Sequence, residues 1–317
     1  MSQSALAVMY HYVWPDGKPV PGGIRPLLAS EFEAQLDWLS ERYRIVSPDD
    51  FLAEVARGSW KGKPPCLLTF DDGTRDHAEV AAPILARRKL SGVFFVLTWP
   101  SDVGRMPLTH LVHWLLGRDE SEVWGGFEAY AERELGGAAA LGDAAQAKRI
   151  YHYETPLRGR IKYAANMALA PESARKVVRA ALAGAGIDEA ALARDWFASA
   201  EQISAMRKAG MVIGLHGCSH QSLQVLGGEG MAEEIRYGSS WVARVAGEKP
   251  RWWACPFGGS GASESAHAAM NEALKNTGLS ASVTTRRGYV PAGCDPMSVP
   301  RFDCIDLPPR QKSAPAA

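Results

Sequence analysis

Two short runs of almost continuous apolar residues, 66–70 (CLLTF) and 92–98 (GVFFVLT), place the strongest constraint on how this chain can fold. A strand that is apolar on both faces must be covered on both faces, which is typical of parallel sheets packed between layers of helices. Amphipathic helical patterns separate these and further strand-like runs, of which 5–13 (ALAVMYHYV) is the first. The sequence therefore predicts an α/β fold built on a parallel sheet or barrel.

This alternation of strands and helices stops between Trp99 and Phe197. The stretch is rich in Ala, Glu, Arg and Leu and carries helical patterns without clear strands. It is too long for a loop, so we predict a helical insertion at about 100–197 on one rim of the sheet. Residues 1–305 then form one domain that the insertion interrupts, and the tail 306–317 is predicted to be disordered.

Composition narrows the classes of partner. The 317 residues carry a formal net charge of zero with Lys and Arg spread along the chain, so no basic surface is available for nucleic acid or anionic membrane. The N-terminus lacks the features of a signal peptide, and no segment approaches the roughly 20 apolar residues of a membrane span. Five cysteines without a CxxC spacing are typical of free thiols in a reducing compartment. We therefore expect a cytoplasmic protein.

Two polar motifs follow predicted strands. The first, 69–73 (TFDDG), presents Asp71 and Asp72, and the second, 216–220 (HGCSH), presents two histidines four residues apart. Asp-Asp-Gly taken alone is also a common turn sequence, and the Asp pair could simply cap the next helix. However, the carboxyl ends of parallel strands meet at one rim, where active sites are assembled. Two imidazoles and one carboxylate are a standard ligand set for a catalytic divalent metal, which leaves the other Asp as a base.

Together with 254–258 (ACPFG), these motifs resemble the polysaccharide deacetylases of the NodB-homology group, carbohydrate esterase family 4. The resemblance covers residues 1–99 and 198–305. It implies a distorted (β/α) barrel that removes N-acetyl, or sometimes O-acyl, groups from sugars with one divalent metal. It also implies that Asp71 is the general base and that the metal ligands are Asp72, His216 and His220. Zinc is the first choice of metal, with cobalt, nickel and manganese as alternatives.

The chemistry of the implied site is consistent with acyl transfer to water. A divalent cation lowers the pKa of a coordinated water from about 15.7 toward about 7, and it also stabilises a developing oxyanion. A backbone N–H near Phe257 is a candidate second oxyanion donor, because Pro256 and Gly258 shape a tight turn there. His77, which follows the DDG turn, is a candidate for the pocket wall, with a role at the start of a helix as the alternative.

Two departures from the family pattern concern the acid and the arginine. The arginine that usually pairs with the base is replaced by Ala254, and no histidine follows His267 to act as general acid. Because a leaving amine must be protonated, we assign the acid to His11, whose place at the end of the first strand resembles the permuted poly-N-acetylglucosamine deacetylases. The alternative for His11 is a hydrogen-bonded core histidine. For the missing arginine we choose Arg301, with an ordinary surface arginine as the alternative.

These expectations combine into one function with two alternatives. The prediction is a metal-dependent hydrolase that removes an acyl group, N-acetyl by preference, from a small sugar or glycan intermediate. A hydrolase of the same fold acting on a non-sugar amide or imide is one alternative. An inactive carbohydrate-binding barrel is the other, because of Ala254 and the missing C-terminal histidine. The histidine pair His110 and His113 in the insertion could face the cleft, although most pairs at this spacing are solvated. The oligomeric state stays open.

Overall fold

The computed structural model of the protein describes residues 4–184, 186–259 and 261–308. Its centre is an eight-stranded sheet in which all paired strands are parallel, with the order β10-β1-β5-β6-β7-β8-β9 and β4 beside β5. The strands are β1 (Leu6–Tyr10), β2 (Val13–Trp14), β3 (Leu27–Leu28), β4 (Arg44–Ile45), β5 (Pro65–Phe70), β6 (Val93–Val96), β7 (Val212–Leu215), β8 (Trp252–Ala254), β9 (Ala281–Val283) and β10 (Phe302–Asp303). Strands β2 and β3 form a separate pair.

The sheet curls into a distorted barrel, as the sequence predicts. The last strand, β10, pairs with the first, β1, through Val8 and Phe302. The chain just before β10 is hydrogen-bonded to the end of β9, with the Thr284 N–H donating to the Val299 carbonyl at 2.9 Å. The residues that follow β1, β5 and β7 therefore meet at one rim.

Helices cover the sheet and form the insertion. They are α1 (Ala29–Arg42), α2 (Pro48–Arg57), α3 (Ala82–Arg87), α4 (Trp99–Val103), α5 (Leu108–Leu115), α6 (Glu120–Glu134), α7 (Ala144–Ile150), α8 (Pro156–Tyr163), α9 (Pro171–Gly184), α10 (Glu189–Trp196), α11 (Ala200–Lys208), α12 (Leu223–Ala246) and α13 (Glu264–Thr277). Within the described residues, no helix combines the length and the apolar character that crossing a membrane requires.

Both faces of the central strands are buried, which explains their continuous apolar sequences. In β5, Leu68 and Phe70 pack in the cluster that also contains residues of α1, α11, α12 and α13. Leu67, whose side chain lies on the opposite face of the strand, packs in a second cluster with Phe95 of β6 and Phe51 of α2. Side chains alternate between the two faces of a strand, so each face needs its own apolar positions.

The insertion has a hydrophobic core of its own and is tied to the rim at both ends. Side chains of α5, α6, α8, α9 and α10 form this core. Where the insertion begins, the Trp99 N–H donates to the Cys218 carbonyl at 3.2 Å. Where it ends, the Ala198 N–H donates to the Gly73 carbonyl at 3.1 Å. Both ends are thus hydrogen-bonded to the loops that carry the two polar motifs.

Two boundaries differ from the predictions. The first strand, predicted over 5–13, ends at Tyr10, because His11 and Tyr12 leave the sheet at its rim. The second is the tail 306–317, predicted to be disordered, whose first residues contact the rest of the chain. The Leu307 carbonyl accepts from Gln35 Nε2 at 3.1 Å, and Asp306 pairs with Arg287 at 3.2 Å. Residues 309–317 lie outside the described part of the chain.

Candidate metal and catalytic site

The loop after β5 presents two adjacent carboxylates in different directions. The Asp71 N–H donates to the Tyr10 carbonyl at 2.9 Å and so extends the β1–β5 pairing by one residue. Asp72 then adopts a φ of 82°, a left-handed conformation that is strained for a residue other than glycine. Gly73 follows at a φ of 69°, and a Cβ there would lie 3.0 Å from the Cα of Val96. The strained turn separates the two carboxylates at the rim.

The loop after β7 brings two histidine rings to the Asp72 carboxylate. The His216 N–H donates to the Val96 carbonyl at 3.0 Å, which continues the β6–β7 pairing. Asp72 Oδ1 lies 3.4 Å from His216 Nε2 and 3.3 Å from His220 Nε2. Ligand atoms of the three side chains all lie within 4.8 Å of one another, and all three residues are buried. The two motifs are therefore brought together as the sequence analysis expects.

The hydrogen-bonding pattern of this cluster is the one expected for a site that binds a divalent cation. His216 Nδ1 lies 2.7 Å from the Ala254 carbonyl, which can only accept, so Nδ1 donates and a neutral His216 has its lone pair on Nε2. Asp72 Oδ1, which faces that lone pair, is buried without a hydrogen-bond donor among the described residues. Acceptors that converge in a buried place require a positive charge between them or a proton on one ring. A divalent cation satisfies this requirement for all three ligands.

The charge states of His220 and Asp72 support the same interpretation. Burial lowers the pKa of His220 to about 4 despite the nearby Asp72 carboxylate, so this ring is neutral at neutral pH. Burial also disfavours charge on His216, but the carboxylates of Asp72 and Asp71 outweigh it and raise the pKa of that ring. For Asp72, the cost of burial is outweighed by His110 and His220, which hold its pKa well below the usual range. An ionised carboxylate and a neutral imidazole are the forms that bind metals.

Asp71 pairs with Arg301 rather than with the histidines. Arg301 Nη1 lies 2.7 Å from Asp71 Oδ1, and Nη2 lies 2.8 Å from Oδ2, a bidentate geometry. Further hydrogen bonds to Thr69 Oγ1 and the Thr284 carbonyl, both at 3.1 Å, fix the guanidinium. Burial by itself raises the pKa of Asp71, but the charges of Arg301 and His216 outweigh burial and lower it. Arg301 thus contacts the residue for which the sequence analysis chose it.

His11 and His77 occupy different positions around the rim. His11 is half-buried directly after β1, close enough to Asp71 for its charge to contribute to the lowered pKa of that carboxyl. His77 is fully buried between the rings of Phe70 and Phe94, and its Nε2 is hydrogen-bonded to the His11 backbone carbonyl. The structure therefore does not bring His77 to the pocket wall, because its ring packs in the core and supports the backbone of His11.

The turn after β8 lies against one of the metal-site histidines. Pro256 begins a 3-10 turn, Pro256–Gly259, in which Phe257 has a left-handed φ of 57°. The half-buried Phe257 ring meets the His220 ring edge-on, with 4.9 Å between the ring centroids. Pro256 itself is buried. The segment assigned to the oxyanion donor thus borders the cluster of Asp72, His216 and His220.

The insertion supplies polar residues to this cluster, and one of them, Thr109, was missed by the sequence analysis. His110 on α5 is fully buried, with its Nε2 3.2 Å from Asp72 Oδ2. Its neighbour Thr109 lies 3.2 Å from His220 Nδ1. His113 Nδ1 lies 3.1 Å from the Tyr12 hydroxyl, so of the two possibilities for His110 and His113 the structure has the pair facing the rim and not the solvent. The available signal was the apolar context of 108–116 (LTHLVHWLL), where polar side chains indicate buried partners rather than solvent.

Comparisons with known proteins agree with this fold. A family model described as polysaccharide deacetylase matches residues 177–281. A search of curated protein sequences gives no match to the chain. The resemblance to NodB-type deacetylases and the distorted (β/α) barrel are confirmed by this match together with similar solved structures.

Three of those structures align over nearly the whole chain. The Streptococcus pyogenes deacetylase PplD, solved with acetate, has a TM-score of 0.57 at 15% identity, covering 97% of this chain and 94% of that one. IcaB from Ammonifex degensii has a TM-score of 0.54 at 20% identity, covering 94% and 91%. A de-N-acetylase from Aggregatibacter actinomycetemcomitans has a TM-score of 0.55 at 15% identity, covering 95% and 94%. At these identities the likeness shows a shared fold.

Proposed function

We propose that this protein is a metal-dependent hydrolase that removes an acyl group, N-acetyl by preference, from a small sugar or glycan intermediate. The polysaccharide deacetylase fold supports deacetylation of a sugar. The finer proposal is carried by Asp72 Oδ1, which has no hydrogen-bond donor in the described part of the chain and faces the Nε2 atoms of His216 and His220. Beside this cluster lies a second carboxylate, Asp71, that is held apart from it by Arg301.

Asp72, His216 and His220 would hold one divalent cation, zinc by first choice and cobalt, nickel or manganese as alternatives. Such a cation, when bound, acts as a Lewis acid that acidifies water and stabilises negative charge on an acyl oxygen. The hydrogen bond from His216 Nδ1 to Ala254 keeps the Nε2 lone pair of that ring directed at the cluster. The protein contribution is thus a preorganised and buried set of ligands.

Asp71 is the proposed base. Its two bonds to Arg301 keep the carboxylate ionised at neutral pH and fix its orientation. It accepts a proton from the water that attacks the acyl carbon, since it is the carboxylate at this rim that the ligand cluster does not use. The backbone N–H of Phe257 is the proposed donor to the oxyanion that forms.

His11 is the proposed general acid. Its half-buried side chain gives it access to a bound substrate, whereas the buried His77 serves as a positioning residue for the His11 backbone. A leaving amine needs a proton to depart, and an imidazole delivers one near neutral pH. His11 therefore takes the place of the histidine that the C-terminal end lacks.

We also propose that the sugar part of the substrate binds in a cavity of about 300 Å³ that adjoins the rim at Tyr12, whose hydroxyl lies 3.1 Å from His113 Nδ1. The proposed metal ligands and the base do not line this cavity. Its wall includes the aromatic rings of Tyr12, Trp14 and Trp196, and the insertion contributes to it through Asp195 and Trp196. This volume is at the low end of ordinary ligand pockets, which span about 300–1,000 Å³. A short or monomeric substrate is therefore favoured over a long polymer. Buried free thiols such as Cys66 and Cys218 support action inside the cell on a glycan intermediate.

A substrate panel tests the proposal. The metal-loaded enzyme is assayed on N-acetylated mono- and disaccharides, on the extended polymer and on cyclic amides, with Asp71→Asn as the inactive control. We expect the highest kcat/KM on the short acetylated sugars. Equal activity on the extended polymer would contradict the proposed preference for a short substrate. Turnover confined to cyclic amides would support the non-sugar alternative, and no turnover by a metal-loaded protein would support the inactive barrel.

A further inference from the structure

The insertion reaches the proposed metal site through a chain of buried hydrogen bonds, for which we use the term insertion relay: Tyr151, Asn166 and Thr109. Asn166 Nδ2 lies 3.3 Å from the Tyr151 hydroxyl, and Thr109 Oγ1 lies 3.0 Å from Asn166 Oδ1. Thr109 Oγ1 is also 3.2 Å from His220 Nδ1. All three relay residues come from the insertion, and each is less than a tenth exposed.

The direction of these hydrogen bonds follows from the orientation of the Asn166 amide, with its nitrogen toward Tyr151 and its oxygen toward Thr109. Asn166 donates to Tyr151 through its amide nitrogen, so its oxygen faces Thr109 and accepts. The single proton of the Thr109 hydroxyl is then used on Asn166. Thr109 can only accept from His220, so Nδ1 of that ring carries the proton and Nε2 carries the lone pair.

We infer that the insertion relay is part of the metal site, because it selects the tautomer of His220 that binds a divalent cation. The inference rests on the proposed function, in which His220 is a ligand. In the other tautomer, Nε2–H would point at Asp72 Oδ1 and the ring would have no lone pair for the cation. Thr109 is thus a positioning residue that acts through His220.

A second contact from the same helix acts on the carboxylate. His110 lies next to Thr109 on α5, and its Nε2 donates to Asp72 Oδ2 at 3.2 Å. This bond occupies one carboxylate oxygen and leaves Oδ1, which has no donor in the described chain, directed at the two histidine Nε2 atoms. One helix of the insertion therefore orients two of the three proposed ligands.

Two substitutions at Thr109 separate a relay from simple packing. Thr109→Val keeps the shape of the side chain but removes its acceptor, whereas Thr109→Ser keeps the hydroxyl and leaves a small cavity. If the relay acts as inferred, Thr109→Val lowers zinc affinity by about 10–100-fold, and Thr109→Ser stays close to wild type. If Thr109 only fills space, the order is reversed.

The measurement is zinc binding to metal-free full-length protein by competition with a chromophoric chelator, together with nitrogen NMR of the His220 ring. Thr277→Val is the matched control, because among the described residues its hydroxyl bonds only to the helix carbonyls of Ala273 and Leu274. We expect an Nδ1-protonated His220 in the wild type and a mixture of tautomers in Thr109→Val. Equally tight zinc binding by wild type and Thr109→Val would overturn this inference alone. Absence of zinc binding by the wild type would overturn the proposed metal site as well.

Discussion

Single residues decide whether this rim can perform hydrolysis, and Arg301 is the clearest case. From the sequence, Arg301 could be proposed only as a substitute for the arginine that the family pattern places at position 254, where this chain has alanine. In the folded chain each terminal nitrogen of Arg301 donates to a different oxygen of the Asp71 carboxylate. Such a pairing depends on the register of β10 against β1, a long-range property that local sequence does not contain.

Asp71→Asn tests the assignment of the base. The amide cannot accept a proton from water, so we expect kcat to fall by about 10²–10⁴-fold while zinc binding is retained. Asp72→Asn is the matched variant, and it should lose zinc. If Asp71→Asn loses the metal while Asp72→Asn keeps it, the two roles are exchanged.

Arg301→Met tests what the arginine does for Asp71. Removal of the positive charge leaves a buried carboxylate without its partner, so the Asp71 pKa rises and the acidic limb of the kcat/KM profile moves to higher pH. Loss of one partner of a buried pair also costs roughly 3–5 kcal/mol in the free energy of unfolding. Arg251→Met, which removes an exposed pair with Asp49, is the control and should change neither quantity much. An unshifted acidic limb would show that Arg301 does not set the ionisation of the base.

His11→Ala tests the general acid. An amide needs a protonated leaving group and an activated ester does not, so we expect a large loss of kcat on the amide and a small loss on the ester. Zinc content and thermal stability serve as controls for the fold. Equal losses on both substrates would assign His11 a structural role.

At the scale of elements, the central strands were predictable and their surroundings were less so. Runs such as 66–70 and 92–98 are apolar on both faces, and this property alone indicates a covered parallel strand. The buried polar face of α5 was not predictable. A histidine pair at i, i+3 has the same sequence whether it faces solvent or Asp72, and only the packing of the insertion on the rim decides between them.

Trp14 of β2 and Trp196 at the end of α10 provide a test of the cavity that they line. Replacing either ring by alanine removes a stacking surface without touching the reacting groups, so we expect KM to rise several-fold with kcat nearly unchanged. Trp60→Ala is the control, because Trp60 packs in the cluster around α2. A loss confined to kcat would argue against substrate binding in this cavity.

For the whole molecule, the barrel supplies the proposed reacting groups and the insertion encloses them. Asp71, Asp72 and His216 are each less than 5% exposed. The two ends of the insertion are hydrogen-bonded to the loops that carry the two polar motifs, so the insertion is attached directly to the site. The insertion could be located from the sequence, because the alternation of strands and helices is interrupted there. It could not show that the insertion contributes side chains to the site, because those contacts join residues more than 35 positions apart.

The central claim is that Asp72, His216 and His220 bind one divalent cation. The most direct measurement is the zinc content of metal-free protein after equilibration with zinc and removal of the excess, determined by elemental analysis. We expect about one zinc per chain in the wild type and none in a His216→Ala, His220→Ala double variant. The matched control is a His152→Ala, His267→Ala double variant, which should bind zinc like the wild type. Full zinc occupancy in the His216→Ala, His220→Ala variant would contradict the claim.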